Sequence, residues 1–379
     1  MRTPPSRPEE AGWLPFVETR DYAGFDGVRR YRVAPPRAGR SDAAQRGSRE
    51  GQEMRNSNRR GLIGVAAAVG AVVALAAVPA AGQIVAATDE APARTPWGHP
   101  NLQGLWNNNT VVPLERPDDL AEREELSDEE VAARFQANSD FLFTPREGDP
   151  GFYNEFWFEY GQDTNRTSLI IDPRDGKLPP LTPEAAERTA ALANFATLPA
   201  VTGDAASWEE LSLFDRCITR GMPGAMSPGF YNHNYRILQT PDYVVMLVEM
   251  IHDVRIIPLE GRPHPSPAVR QWLGDSVGRW EGDTLVVETT NFTDRANTRG
   301  VTVFGGSDQM RLVERFTRVG PDTIDYRYTI EDAANYTAPW TAAIPMTRID
   351  GEIFEYACHE GNYSVGNILR GARANEQEQ

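Results

Sequence analysis

The sequence predicts a mainly β protein, an antiparallel sheet closed into a barrel, with a helical and aromatic insertion after its first strand. Three observations carry that prediction. From about residue 230 onward, segments with alternating apolar residues follow one another almost without interruption. The connections between them are too short for crossover helices, so neighbouring strands must run antiparallel. Seven or more such strands in a row must also hide their edges, and closure into a barrel does so. The 32 glycines and 29 prolines fit a chain of many turns and short strands better than one of long helices.

Taken in order, "HPNLQGLWNNN" holds Gly104–Leu105–Trp106 at the first strand. Ser127–Asp128–Glu129–Glu130 is a capping box opening a helix that runs to about Asn138. Residues 140–163 are aromatic, with Phe152, Tyr153, Phe156, Trp157, Phe158 and Tyr160. "RTSLIIDPRDGKLPPL" reads as strand, Asp175–Gly176 turn, strand. Thr182 caps a helix with Pro183 at its first position, ending near Asn194. The β region then runs through "NYRILQT", "YVVMLVEMIHDVRIIPL" (one long strand, or two joined by a bend), "DTLVVETTNF", "MRLVERFTRV", "TIDYRYTI", "WTAAIPMTRI" and "EIFEYAC". Its connections carry Gly282–Asp283, Gly320–Pro321–Asp322 and Asp350–Gly351, the last with the strongest two-residue hairpin signature.

Outside the barrel region, the chain divides by composition. Residues 54–82 combine a basic "MRNSNRR", an uncharged apolar run and small residues around Ala80–Gly82, the form of a secretory signal peptide. Arg59–Arg60 makes the twin-arginine route an alternative to the general secretory one, and a retained membrane anchor is the competing reading of the run. Residues 1–53 are rich in Arg, Pro, Gly and Ser without apolar periodicity, so they are expected to be a disordered or mis-annotated extension, with translation starting at Met54. One domain is expected over 96–374, with its insertion at 108–200 and a short tail at 375–379.

Charge and export limit the partners. The whole chain is −16, but residues 1–82 hold 13 of its 38 basic and 8 of its 54 acidic residues, leaving 25 against 46, or −21. So acidic a domain repels phosphate backbones, which argues against nucleic acid and anionic membrane surfaces. After cleavage no stable membrane insertion is expected, and the destination is the periplasm or the exterior. In that oxidising setting Cys217 and Cys358 are expected to pair, the alternatives being two buried thiols or one reactive thiol.

Strand alternation assigns faces. In an unbroken strand from Tyr243 to Ile257, Val244, Met246, Val248, Met250, His252, Val254 and Ile256 share one face, which turns His252 inward. Glu249, Asp253 and Arg255 share the other. In 324–330, Ile324, Tyr326, Tyr328 and Ile330 line one face, and Asp325, Arg327 and Thr329 the other. Phe354, Tyr356 and Cys358 share the apolar face of the last segment, opposite Glu355 and His359. Adjacent strand residues point apart, so Cys358 and His359 are a poor nucleophile–base pair. The best polar constellation is His252, Asp253 and Arg255 with His359 and Glu360, provided the two strand ends converge. It reads as an acid–base site with Arg255 holding an anionic group, as a divalent-metal site of His252, His359 and Glu360, or as a satisfied core histidine beside a solvated ion pair. No cofactor is expected, with that metal as the alternative. Asn107, Trp157, Tyr326 and Asp253 are candidate ligand contacts. Tyr231, His233 and Tyr235 alternate on one face, for which aromatic packing is the simpler account. Ala225–Met226–Ser227–Pro228–Gly229 has the outline of a nucleophile elbow but lacks the strand and helix that must flank one.

"GRWEGDTLVVETTNF", "RLVERFTRVGPDTIDYRYTIED", "YTAPWTAAIPM" and "YACHEGNYSVGNIL" resemble a widespread group of secreted bacterial proteins of unassigned function, over most of the chain from Pro96 to about Ala374. That resemblance implies no activity and no catalytic residue. Gly104–Leu105–Trp106 before an antiparallel meander resembles lipocalins and other calycin-like barrels, which implies a central pocket for a small, mostly apolar ligand. Three functions follow: an exported protein binding or transporting a small organic ligand; a cofactor-free lyase, isomerase or hydrolase using one His as base; or a structural or interaction module with a filled barrel.

Overall fold

The computed structural model describes residues 93–144, 158–159, 161, 163–191, 205–296 and 306–378, all within one compact unit. The expected extension, the signal-like segment and Trp157 lie outside the described residues. Ten strands form the sheet among them: β1 (Gly104–Asn107), β2 (Ile170–Asp172), β3 (Asn234–Gln239), β4 (Tyr243–Val248), β5 (Val254–Pro258), β6 (Asp275–Glu281), β7 (Thr284–Thr290), β8 (Arg311–Arg318), β9 (Thr323–Glu331) and β10 (Trp340–Arg348). Three helices accompany them: α1 (Asp128–Phe143), α2 (Pro183–Ala191) and α3 (Ser364–Glu378).

Nine strands make a nearly closed antiparallel barrel in the order β5-β4-β3-β1-β10-β9-β8-β7-β6, and β2 adds a short pairing to β10. The expected fold class is therefore present. The two end strands, β5 and β6, close on each other through side chains. A Cβ on Gly278 of β6 would sit 2.8 Å from Leu259 and 2.9 Å from Ile257, so only glycine allows that approach. Arg255 of β5 also reaches Ser276 of β6 (3.4 Å).

In β4 and β9 the alternating residues predicted to face inward do so. Ile324, Tyr326, Tyr328 and Ile330 of β9 join Leu312 and Phe316 of β8 and Val244, Met246 and Val248 of β4 in one buried core. Each such side chain contributes about 1.5–3 kcal/mol by leaving water. Trp106 is fully buried, and its indole Nε1 donates to the Leu102 carbonyl (2.9 Å). The guanidinium carbons of Arg348 and Arg318 lie 4.6 and 5.8 Å from its ring.

Three sequence expectations are corrected. The stretch from Tyr243 to Pro258 is two strands, β4 and β5, paired as a hairpin with Met246 opposite Arg255. Ile251 (φ 62°) and His252 (φ 51°) adopt left-handed backbone at its tip, which reverses the chain and exchanges the two faces. Arg255 and Ile257 therefore turn inward, while Val254 and Ile256 are exposed. Residues 352–358 form no strand after Asp350–Gly351. Strand β10 already has β9 on one side and β1 and β2 on the other, so no edge remains for a further hairpin partner. After the Asp175 turn the chain continues without forming a strand. At the end of the described residues, α3 covers Ser364–Glu378. Gly366 and Gly371 lower its helix propensity, but Arg373 ties it to the Ala205 and Ala206 carbonyls (3.2 and 3.0 Å). Helix α1 starts where its capping box places it, with Ser127 and Glu130 satisfying each other's backbone N–H, and it runs one turn further than expected.

Candidate functional site

The hairpin tip decides the fate of the expected site. His252 is exposed there, and its Nδ1–H donates to the Tyr356 carbonyl (3.0 Å). Asp253 accepts from the Thr219 hydroxyl (2.9 Å), and burial raises its carboxyl above the usual range. Arg255 is inside the barrel. His359 and Glu360 are exposed on the turn after Cys358. No hydrogen bond or ion pair among the described residues joins any two of His252, Arg255, His359 and Glu360, and no three His, Cys, Asp or Glu side chains there are grouped as a metal ion would require. Cys358 is disulfide-bonded to Cys217, the expected pairing. Asn362 Nδ2 approaches Cys217 Sγ at 3.1 Å and holds the same turn against it.

Arg255 instead heads a buried polar cluster. It forms a two-pronged ion pair with Glu314 of β8, with the two side chains 2% and 0% exposed. Tyr326, a candidate ligand contact, donates its hydroxyl to the same carboxylate (3.0 Å) and stacks on Phe316 with ring centroids 4.7 Å apart. The tyrosine hydroxyl is kept protonated by burial and by the adjacent Glu314 charge. Ser276 and Thr289 bond to each other alongside (2.8 Å).

The open space is elsewhere. A cavity of about 450 Å³ lies between the barrel end at Leu169 and Tyr328, the inner side of α1 (Phe135, Asn138, Leu142), and the segments 109–114, 158–163 and 227–230. Its walls are largely apolar, with Phe158 and Phe230 stacked parallel at 6.0 Å. None of His252, Arg255, His359 and Glu360 lines it.

A buried network builds the polar part of its wall. Glu159 accepts from Asn107 Nδ2 (3.1 Å), Asn109 Nδ2 (3.2 Å), the His233 backbone N–H (3.2 Å) and Asn234 Nδ2 (3.0 Å). Asn107, expected as a ligand contact, is thus a structural member one layer behind the cavity. It also donates to Asn234 Oδ1 (2.9 Å), and Asn234 Nδ2 in turn donates to Glu249 (2.7 Å). Asp163, a second acid in the wall, is paired with Arg134 of α1 (2.7 Å). The positive group of the wall is Arg220. Its Nη1 donates to His233 Nε2 (2.8 Å), and its guanidinium carbon lies 5.7 Å from the Phe214 ring. Burial, then the Arg220 charge, hold His233 well below the usual histidine range, a Ser227 backbone hydrogen bond pulling weakly the other way. The imidazole is therefore neutral. A Cβ on Gly229 would fall 1.9 Å from His233 Nε2, so glycine lets the cavity rim lie directly on this pair.

Sequence reasoning had Asn107 in view as a ligand contact and Ser227 only as part of a failed nucleophile elbow, and it missed Arg220, Glu159 and Phe230. The available signal was Asn107–Asn109 directly after a buried strand, since such a run of amides demands buried partners. No family model, curated protein or solved structure matches this chain.

Proposed function

We propose that this protein binds a small organic molecule in the cavity between the barrel end and α1. The carrying observation is the cavity itself: about 450 Å³, inside the range of small-molecule sites, with aromatic and aliphatic walls and a few fixed polar groups on one side. The signal-like segment 54–82 and the Cys217–Cys358 disulfide support an exported protein, in the periplasm or outside the cell. No helix among the described residues is long and apolar enough to cross a membrane. Arg255 and Glu314, paired with each other inside the barrel, are not among the residues that line this cavity. Nothing in the geometry favours catalysis by His252 and His359, which meet backbone and solvent and no shared space.

The test is to fill the cavity. Leu142→Trp on α1 places an indole where the ligand would sit. Native mass spectrometry of molecules retained by the purified protein, or displacement of an environment-sensitive apolar dye, should show loss of binding with the melting temperature held or raised. Unchanged retention with the indole in place would overturn this reading.

A further inference from the structure

Resting on that reading, we infer that the cavity selects an apolar molecule bearing one uncharged amide, a primary amide or a lactam, and that Asn138 of α1 recognises that group. Asn138 lines the cavity and is half-buried. It stands three residues after Phe135 and four before Leu142, so the three share the helix face turned to the space. Folding alone gives no reason for an asparagine there. It forms helix less readily than leucine and puts a polar group on an apolar face. Its side-chain amide makes no hydrogen bond with any described residue. The other polar side chains of the wall are engaged by the protein. Glu159 accepts from three amide side chains and one backbone N–H, and Asp163 is paired with Arg134. Asn109 donates to the Glu159 carbonyl (3.1 Å) and accepts from the Gly229 N–H (3.2 Å). Thr110 accepts from the Val112 N–H (3.2 Å) and donates to Asp163 (3.4 Å). Ser227 donates to the Pro223 carbonyl (3.1 Å) and hydrogen-bonds the Tyr328 phenol. Arg220 donates to His233 and lies against Phe214. A polar group on the ligand therefore finds its complement at Asn138. A side-chain amide carries N–H donors and a carbonyl acceptor in one plane. The group that satisfies both together is another amide with its N–H and C=O on the same side, through a pair of N–H···O=C bonds.

The experiment compares naphthylacetamide with naphthylacetone, in which a methyl group replaces the amide nitrogen, by calorimetry on the full chain. Burying an amide without partners costs more than burying a ketone, so a cavity that is only apolar prefers the ketone. The native chain should prefer the amide. Asn138→Leu should lower the ratio of amide to ketone affinity about tenfold, with the melting temperature held or raised. Leucine matches asparagine in shape and favours helix, so the variant removes the polar group and spares the fold. Infrared spectroscopy of carbonyl-labelled naphthylacetamide on the native chain gives a reading that needs no variant. The C=O stretch of the bound amide should lie below its position in a hydrocarbon solvent, where nothing donates to it. A hydrocarbon-like stretch, a native preference for the ketone, or a ratio unchanged by Asn138→Leu would each overturn the inference while leaving the cavity as a binding site. Failure of both compounds to bind would remove the inference and the binding reading together.

Discussion

The barrel interior and the cavity wall each hold an arginine, and the two sit in different surroundings. Arg255, fully inside the barrel, has the Glu314 carboxylate locked onto it from across the barrel and a tyrosine on the same carboxylate. Arg220, half-buried, lines the cavity and meets a neutral histidine and an aromatic face. The first belongs to a core ion pair, whose cost of burial is offset only while both partners are present. The second lies at the border of a space. A charge in the interior is therefore no indicator of a site; its neighbours decide.

The largest expected effect breaks the first half of that comparison. Glu314→Leu strands the Arg255 charge inside the barrel and should cost about 3–5 kcal/mol in urea unfolding. Arg255→Met combined with Glu314→Leu should recover most of that loss. If the double variant is no more stable than Glu314→Leu, the loss does not come from a stranded Arg255 charge.

Next comes the link between the cavity-bearing loop and the C-terminal segment. Replacing Cys217 and Cys358 with serine releases a crosslink spanning 141 residues and should cost about 2–5 kcal/mol. Arg220 lies three residues beyond Cys217, so dye binding should weaken in the same variant; undiminished binding would show that the wall is held without the disulfide. A smaller loss, about 1–3 kcal/mol, is expected from Gly278→Val, which forces a side chain into Leu259 and Ile257 at the β5–β6 seam. Ligand affinity should not change, since that seam is remote from the lining residues.

The smallest effect concerns pH and α1, one wall of the cavity. Hydrogen bonds from Arg123, then from the Ser127 backbone, hold the Glu130 carboxyl down to about 2 from 4.5. A carboxylate lowered in the folded state adds stability above its unfolded value and loses it as pH falls through the folded one. The start of α1 should therefore loosen between about pH 4.5 and 2. Amide hydrogen exchange at the first turn measures this, and Glu130→Gln should remove the pH dependence. An identical acid profile in that variant would assign the loosening to another group.

How far the sequence could be read depended on where each partner lay. The alternation of β9 named its inward residues correctly, because a pleat has a period of two whatever surrounds it. The capping box fixed the start of α1 from four residues in a row. The site was less legible. His252 and Arg255 were placed by counting through Ile251, and one left-handed tip exchanged their faces. Arg220 carried no pattern at all, since His233 and Phe214 come to it through the folding of a loop.

By itself, then, the sequence determined the antiparallel meander, the disulfide partners and the inward side chains of β4 and β9, because these follow from local periodicity and from having only two cysteines to pair. The tertiary structure alone decided that Arg255 is sealed in the core, that "EIFEYAC" has no strand to join, and that the open volume lies against α1. Those outcomes depend on which segments far apart in the chain compete for the same edge or the same space, and spacing along the chain carries no record of that competition.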